Sequence, residues 1–206
     1  MGSNADEIFD HVLDALLQWS GSAIKWPTEL EQKLISQRFS EMTEIKGIIG
    51  CLDGTIIGAP NPSDATSEGP HALNVAVVTD DKKQFRWVLA KYKSDLEDDT
   101  VFKRSLLCQQ LKEGTKKGVL IGDDDYESES FLITPKSKEK ETGVAALGLR
   151  KAHKIVEEAI ASWKWQFPIL TSHIKSPKIA RIIVGTAAIY NLTRAQGEPL
   201  FTADEG

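Results

Sequence analysis

Ile48-Ile49-Gly50-Cys51-Leu52-Asp53-Gly54-Thr55 is the stretch whose reading decides the fold. An apolar run that ends on Asp-Gly reads as a buried strand delivering a carboxylate to its exposed end, since an unpaired charge is too costly inside a sheet. Residues 47–58 are nearly all apolar, as a central strand covered on both faces should be. The same pattern returns in Val119-Leu120-Ile121-Gly122-Asp123. Asp98 and Glu157 also stand just past apolar stretches, which makes four acids in all. Two acid-ending strands side by side, with a Glu from a covering helix, make a divalent-metal site suited to phosphodiester cutting.

Working outward, residues 5–18 carry the i,i+4 rows Ile8, Val12, Leu16 and Phe9, Leu13, Leu17, which predict an amphipathic helix. Thr28 with Glu31 forms a capping-box pattern, so a second helix should run from there to about Phe39. Beyond the first strand, a loop rich in Pro, Asn, Ser and Gly separates it from a hairpin of His71–Thr79 and Gln84–Tyr92, turned by Asp80–Lys83. Helical spacing covers 99–113 and closes at Gly114; a short strand follows at 117–122, then a small extra strand stopped by Pro135. After a charged loop at 136–142, helices are predicted over 144–165 and 177–194.

Three strands, a helix, then a strand returning beside the first is the ribonuclease-H-like layout, an α/β fold with a mixed sheet flanked by helices. The returning strand should lie parallel to the first, because a helical crossover connects them. Periodicity alone also allows other α/β arrangements. The expected organisation is an N-terminal helical segment over 1–46 packed on the core, the sheet domain over 47–195, and a flexible tail over 196–206.

The whole-chain charge narrows the function. Lys and Arg total 25 against 30 Asp and Glu, a net charge of −5, whereas phosphate-gripping domains show a basic excess. Any DNA contact must come from a local patch or from another subunit. No apolar run reaches the ~20 residues of a membrane span. Two cysteines, Cys51 inside a strand pattern and Cys108, predict buried, reduced thiols in an intracellular compartment.

A two-metal site needs short Asp side chains on strand ends and a longer Glu reaching from a helix, all on rigid elements. No Ser-His-Asp or Cys-His pattern competes, and the four histidines lack zinc-finger spacing with the cysteines. Each acid taken singly reads as readily as a turn cap, and Asp123-Asp124-Asp125 as a solvated loop. Trp163, Trp165 and Phe167 read first as a helix packed on the sheet and second as a partner or homo-oligomer surface. Lys136, Lys138 and Lys140 read first as a solvated loop and second as a DNA contact.

The residues then line up with a family. Gly50–Ile57 with Ala59-Pro60, His71–Val75, Asp98–Phe102 with Ser105, Leu120–Asp123 with Tyr126, Leu132–Pro135, Val156-Glu157 with Trp163-Lys164, and Ile189-Tyr190-Asn191 occur in family order. The chain resembles the catalytic domain of PIF/Harbinger-type DDE transposases and their domesticated nuclease-like relatives, over roughly residues 10–195. That resemblance leaves no room for the DNA-binding helical domain that normally precedes it. It implies a ribonuclease-H-like fold, Mg²⁺ or Mn²⁺ as cofactor, and DNA as substrate. Carried over residue by residue, Asp53, Asp123 and Glu157 become the metal-binding and catalytic triad, with 34 positions between the last two. Asp98 and Glu141 are the reserve acids, and Arg150, Lys151, Lys154 and Lys164 the phosphate candidates.

Departures from the family pattern all point one way. Ser67-Glu68-Gly69 and Tyr92–Glu97 replace basic or small segments, Asp124, Asp125, Glu127 and Glu129 add acid, and His153 stands where Arg is common. Each change makes the surroundings of the triad less attractive to a phosphate backbone. Two readings therefore stand. One is a divalent-metal-dependent nuclease or strand-transfer domain. The other is a catalytically silent, domesticated relative working as a nuclear protein-interaction module, with a Myb/SANT-like DNA-binding partner implied in either case.

Overall fold

Parallel pairing of β1 (Ile48–Ile57) with β4 (Val119–Ile121) joins the strand that carries Asp53 to the one that leads into Asp123, at the centre of a five-stranded sheet. The computed structural model describes residues 4–58, 72–138, 143–172 and 178–199. β2 (Leu73–Thr79) and β3 (Phe85–Lys93) extend the sheet antiparallel on one side, and β5 (Leu132–Ile133) runs parallel to β4 on the other. The order β3-β2-β1-β4-β5 is mixed, as the ribonuclease-H-like layout requires. β2 is buried along its whole length, which is why its Val-rich sequence does not alternate.

α1 (Asn4–Ala23) and α2 (Glu29–Thr43) precede the sheet. Both run past their expected ends by about a turn. At the start of α2 the predicted capping box is complete: Glu31 N–H donates to Thr28 Oγ1, and Thr28 N–H donates to Glu31 Oε2 at 2.8 Å. The 99–113 region is not one helix. It divides into α3 (Asp98–Lys103) and α4 (Leu106–Lys112), because Ser105 takes an extended backbone and its Oγ accepts the Cys108 N–H at 3.0 Å. Side-chain capping of this kind outcompetes helix continuation and explains the error. Gly114 ends α4 at φ +75°, as expected. The expected charged loop begins instead as α5 (Pro135–Lys138). Its remainder lies outside the described residues, as do His71, most of the loop before it, and 200–206 of the expected tail.

α6 (Gly143–Gln166) and α7 (Ile179–Ala195) complete the fold. α6 lies on β1, β2 and β4, α2 on β1, and α7 on β3, while α1 packs on α7. Along α6, Ala152, Val156, Ala159 and Trp163 are buried at helical spacing. Phe85 forms the centre of this layer, with Trp163 and Tyr190 each at 5.0 Å between ring centroids. Asn191 pins the same point, accepting the Phe85 N–H at 2.7 Å and donating to the carbonyls of Phe85 and Ala23. α3 covers the opposite face of the sheet, its Phe102 meeting Trp87 and Tyr126 edge to face. Both cysteines are buried free thiols. No helix among the described residues is long and apolar enough to cross a membrane.

Candidate active site

Strand register decides what reaches the site. Cys51 pairs with Ile121 across the parallel β1–β4 ladder. Side chains alternate, so two residues further along both chains Asp53 and Asp123 emerge next to each other on one face. α6 lies over that face: Cys51 Sγ donates to the Ala152 carbonyl at 3.3 Å, and the following residue, His153, enters the same corner. The His153 ring is 4% exposed, with Nε2 3.1 Å from the Leu52 carbonyl. One ligand atom from each of Asp53, Asp123 and His153 lies within 4.8 Å of the other two.

Burial dominates the electrostatics. It pushes the Asp53 carboxyl up to about 6, with Asp123 and Asp98 adding repulsion while His153 and the Gly54 N–H pull the other way. Asp123 is raised as well, again mainly by burial, although its Oδ1 accepts the Asp125 N–H at 3.0 Å. Burial lifts the Tyr126 phenol well above its ordinary range, with Asp98, Asp53 and Asp123 contributing. The Tyr126 hydroxyl is buried without a hydrogen-bond partner among the described residues. Two crowded carboxylates and an imidazole suit a divalent cation, whose charge would remove the mutual repulsion. The donor set therefore fits.

The remaining expected residues are placed differently. Glu157 stands one helical turn past His153, its Oε1 3.5 Å from His153 Nδ1 and its side chain 58% exposed. It is outside the close group of ligand atoms. Asp98 opens α3 on the other side of β1. A Cβ on Gly54 would collide with the Asp98 carboxyl, so the missing side chain there is what lets Asp98 approach. Gly54 points opposite to Asp53, and Asn74, on the Gly54 face, donates to Asp98 Oδ1 at 2.5 Å. Glu141 lies outside the described residues.

Of the phosphate candidates, Lys151 and Lys154 are exposed on α6. Arg150 is bound to Asp124 at 2.6 Å. Lys164 donates to Thr55 Oγ1 at 2.6 Å and to the Ile56 carbonyl at 3.1 Å, which ties the end of α6 to β1. Burial lowers its pKa, against the pull of Asp53. Trp163 is fully buried, whereas Trp165 is exposed. The residue that sequence reasoning missed is His153, read only as a lost Arg. Its signal was the i,i+4 spacing to Glu157, which puts both on one helix face. A cavity of about 740 Å³ opens at the other end of β1 between α2 and Val119, away from this chemistry.

Comparison with known proteins agrees with this reading. The sequence profile of the DDE superfamily endonucleases matches residues 52–191. The chain is 30% identical to the "Putative nuclease HARBI1" of Mus musculus over 132 residues, covering 61% of this chain and 38% of that protein. The protein of the same name from Bos taurus is 29% identical over 132 residues with the same coverage. The one from Xenopus laevis is 22% identical over 196 residues, covering 88% of this chain and 56% of its own length. The chain thus spans between about two fifths and just over half the length of these relatives. No solved structure matches. The profile match runs from the middle of β1 into α7 and takes in Asp53, Asp123 and His153, so the chain belongs to the DDE superfamily endonucleases.

Proposed function

We propose that this domain is a Harbinger-derived, divalent-metal-dependent nuclease core that cuts or joins DNA phosphodiesters with Asp53, Asp123 and Glu157. The observation that carries this reading is the meeting of Asp53 and Asp123 just past the last pair of the parallel β1–β4 ladder. When bound, Mg²⁺ or Mn²⁺ would activate the attacking water or hydroxyl and stabilise the leaving oxygen. The chain's own contribution is to hold two carboxylates rigidly on a buried sheet, oriented by the Gly54 and Asp125 N–H groups. Glu157 would complete the set by turning its exposed carboxylate from His153 toward the two Asp side chains. Lys151 and Lys154 are the cations placed to meet a phosphate backbone, and Arg150 can join them by releasing Asp124.

The deciding experiment is nicking of supercoiled DNA in Mg²⁺ or Mn²⁺. The wild-type chain should nick, and the Asp53→Asn and Asp123→Asn variants should not; equal activity in all three would sink the assignment. One observation favours a second reading, a silent interaction module in the nucleus. Arg150 and Lys103 are paired with acids of the same chain, and Lys164 is bonded to β1. An acidic domain of that kind needs a basic, Myb/SANT-like partner to reach DNA. Wild-type protein that binds the cation but nicks no DNA, with or without such a partner, would select this second reading.

A further inference from the structure

The structure assigns His153 as a nitrogen ligand of the cation, making this a mixed oxygen–nitrogen site that prefers Mn²⁺ to Mg²⁺. This rests on the reading of Asp53 and Asp123 as the cation site. Three observations carry it. First, a ring nitrogen of His153 lies within 4.8 Å of carboxylate oxygens of both Asp53 and Asp123, while Glu157 falls outside that close group. Second, the ring is 4% exposed and its orientation is fixed by the strand that bears the first acid, since Nε2 lies 3.1 Å from the Leu52 carbonyl. A carbonyl can only accept, so Nε2 carries the proton and the lone pair of the neutral ring is on Nδ1. Metal-bound histidines are oriented in this way, one nitrogen to the ion and the other N–H to a carbonyl or carboxylate.

Third, Nδ1 stands 3.5 Å from Glu157 Oε1. Adjacent ligands each about 2.1 Å from one ion are separated by about 3 Å, so Nδ1 and Glu157 are spaced to share an ion after a small closure. Imidazole is a borderline donor that suits transition metals, whereas Mg²⁺ takes hard oxygen and gives up water reluctantly. A His in the inner set therefore shifts preference from Mg²⁺ toward Mn²⁺.

Two measurements on the whole chain test this. In the first, titration calorimetry with MnCl₂ and MgCl₂ is run on wild type and on His153→Gln, whose amide can still donate to the Leu52 carbonyl. Mn²⁺ should bind the wild type more tightly than Mg²⁺, and the variant should lose roughly tenfold or more in Mn²⁺ affinity while losing clearly less for Mg²⁺. Equal losses for both ions overturn the assignment. The second needs no variant: pulsed electron paramagnetic resonance of the Mn²⁺-loaded wild type should show coupling to a directly bound imidazole nitrogen. Mn²⁺ that binds, that is lost in Asp53→Asn, and that shows no nitrogen coupling overturns the His153 ligand and leaves the proposed site standing. Absence of Mn²⁺ and Mg²⁺ binding in the wild type overturns both.

Discussion

Asp53→Asn should make the metal-free protein more stable at neutral pH. The Asp53 carboxyl lifts from its ordinary 3.8 to about 6, chiefly through burial. A folded state that holds its proton more tightly than the unfolded chain takes up protons between those two values, so stability falls as pH rises through 3.8 to 6 and stays low above 6. At about 1.4 kcal/mol per pH unit, the full penalty is about 3 kcal/mol. Asn keeps the shape and can still accept the Gly54 N–H, which now meets Asp53 Oδ1 at 2.8 Å. Removing the charge should therefore raise the melting temperature by roughly 6–10 °C at pH 7.5 in EDTA, for a domain of this size. The gain should shrink as pH is lowered toward 4, where wild-type Asp53 is itself neutral. Added Mn²⁺ should then raise the melting temperature of wild type but not of the variant, since only wild type keeps the paired carboxylates. Calorimetric melts across pH 4–8 give both readings. A variant that melts at or below wild type at pH 7.5 in EDTA would refute the burial penalty on the Asp53 charge.

Three further substitutions probe the frame around the site. Gly54→Ala puts a methyl group where the Asp98 carboxyl rests, so urea melts should show a loss of about 1–3 kcal/mol; no loss would mean that Asp98 moves aside without cost. Asn191→Ala strips partners from the buried Phe85 N–H and C=O and should cost about 2–3 kcal/mol by chemical denaturation, far more than an exposed Asn would. Arg86→Met leaves Asp80, which is 1% exposed and receives Arg86 Nε at 2.8 Å, as an unpaired buried carboxylate. A loss of about 3 kcal/mol is expected at pH 7. Burial raises the Asp80 pKa and Arg86 opposes it, so part of that loss should recover on acidification, a trend that pH-dependent melts would detect.

Much of this was legible because it is encoded locally. The apolar run into Asp53-Gly54, the capping box at Thr28 and Glu31, and the hairpin turned at Asp80 each depend on neighbours a few residues away. Strand type and acid placement were therefore readable, and the mixed sheet followed from the order of the elements. The break at Ser105 was less legible, because an extended cap and a continuing helix use the same apolar spacing. Asp98 reads as a reserve for the second carboxylate because the resemblance matches it to a further family acid after the third strand. What separates it from Asp53 is strand alternation: Gly54, with Asp98 against it, faces the other side of the sheet.

The sequence by itself determined which acids the apolar strand runs lead into, and that two of these strands are parallel neighbours. Only the tertiary structure decided which side chains share a face at that point. The face is set by the register of β1 against β4, which leaves no trace in local pattern, and by the rotation of α6, of which the spacing of its apolar residues and of His153 and Glu157 gives only a partial sign. Those two long-range choices bring His153 into the corner with Asp53 and Asp123 and leave Glu157 exposed beside it, outside the close group. They also turn Lys164 onto β1, because a helix docked on a strand end must satisfy the strand's last carbonyls with whatever donor its final turn provides.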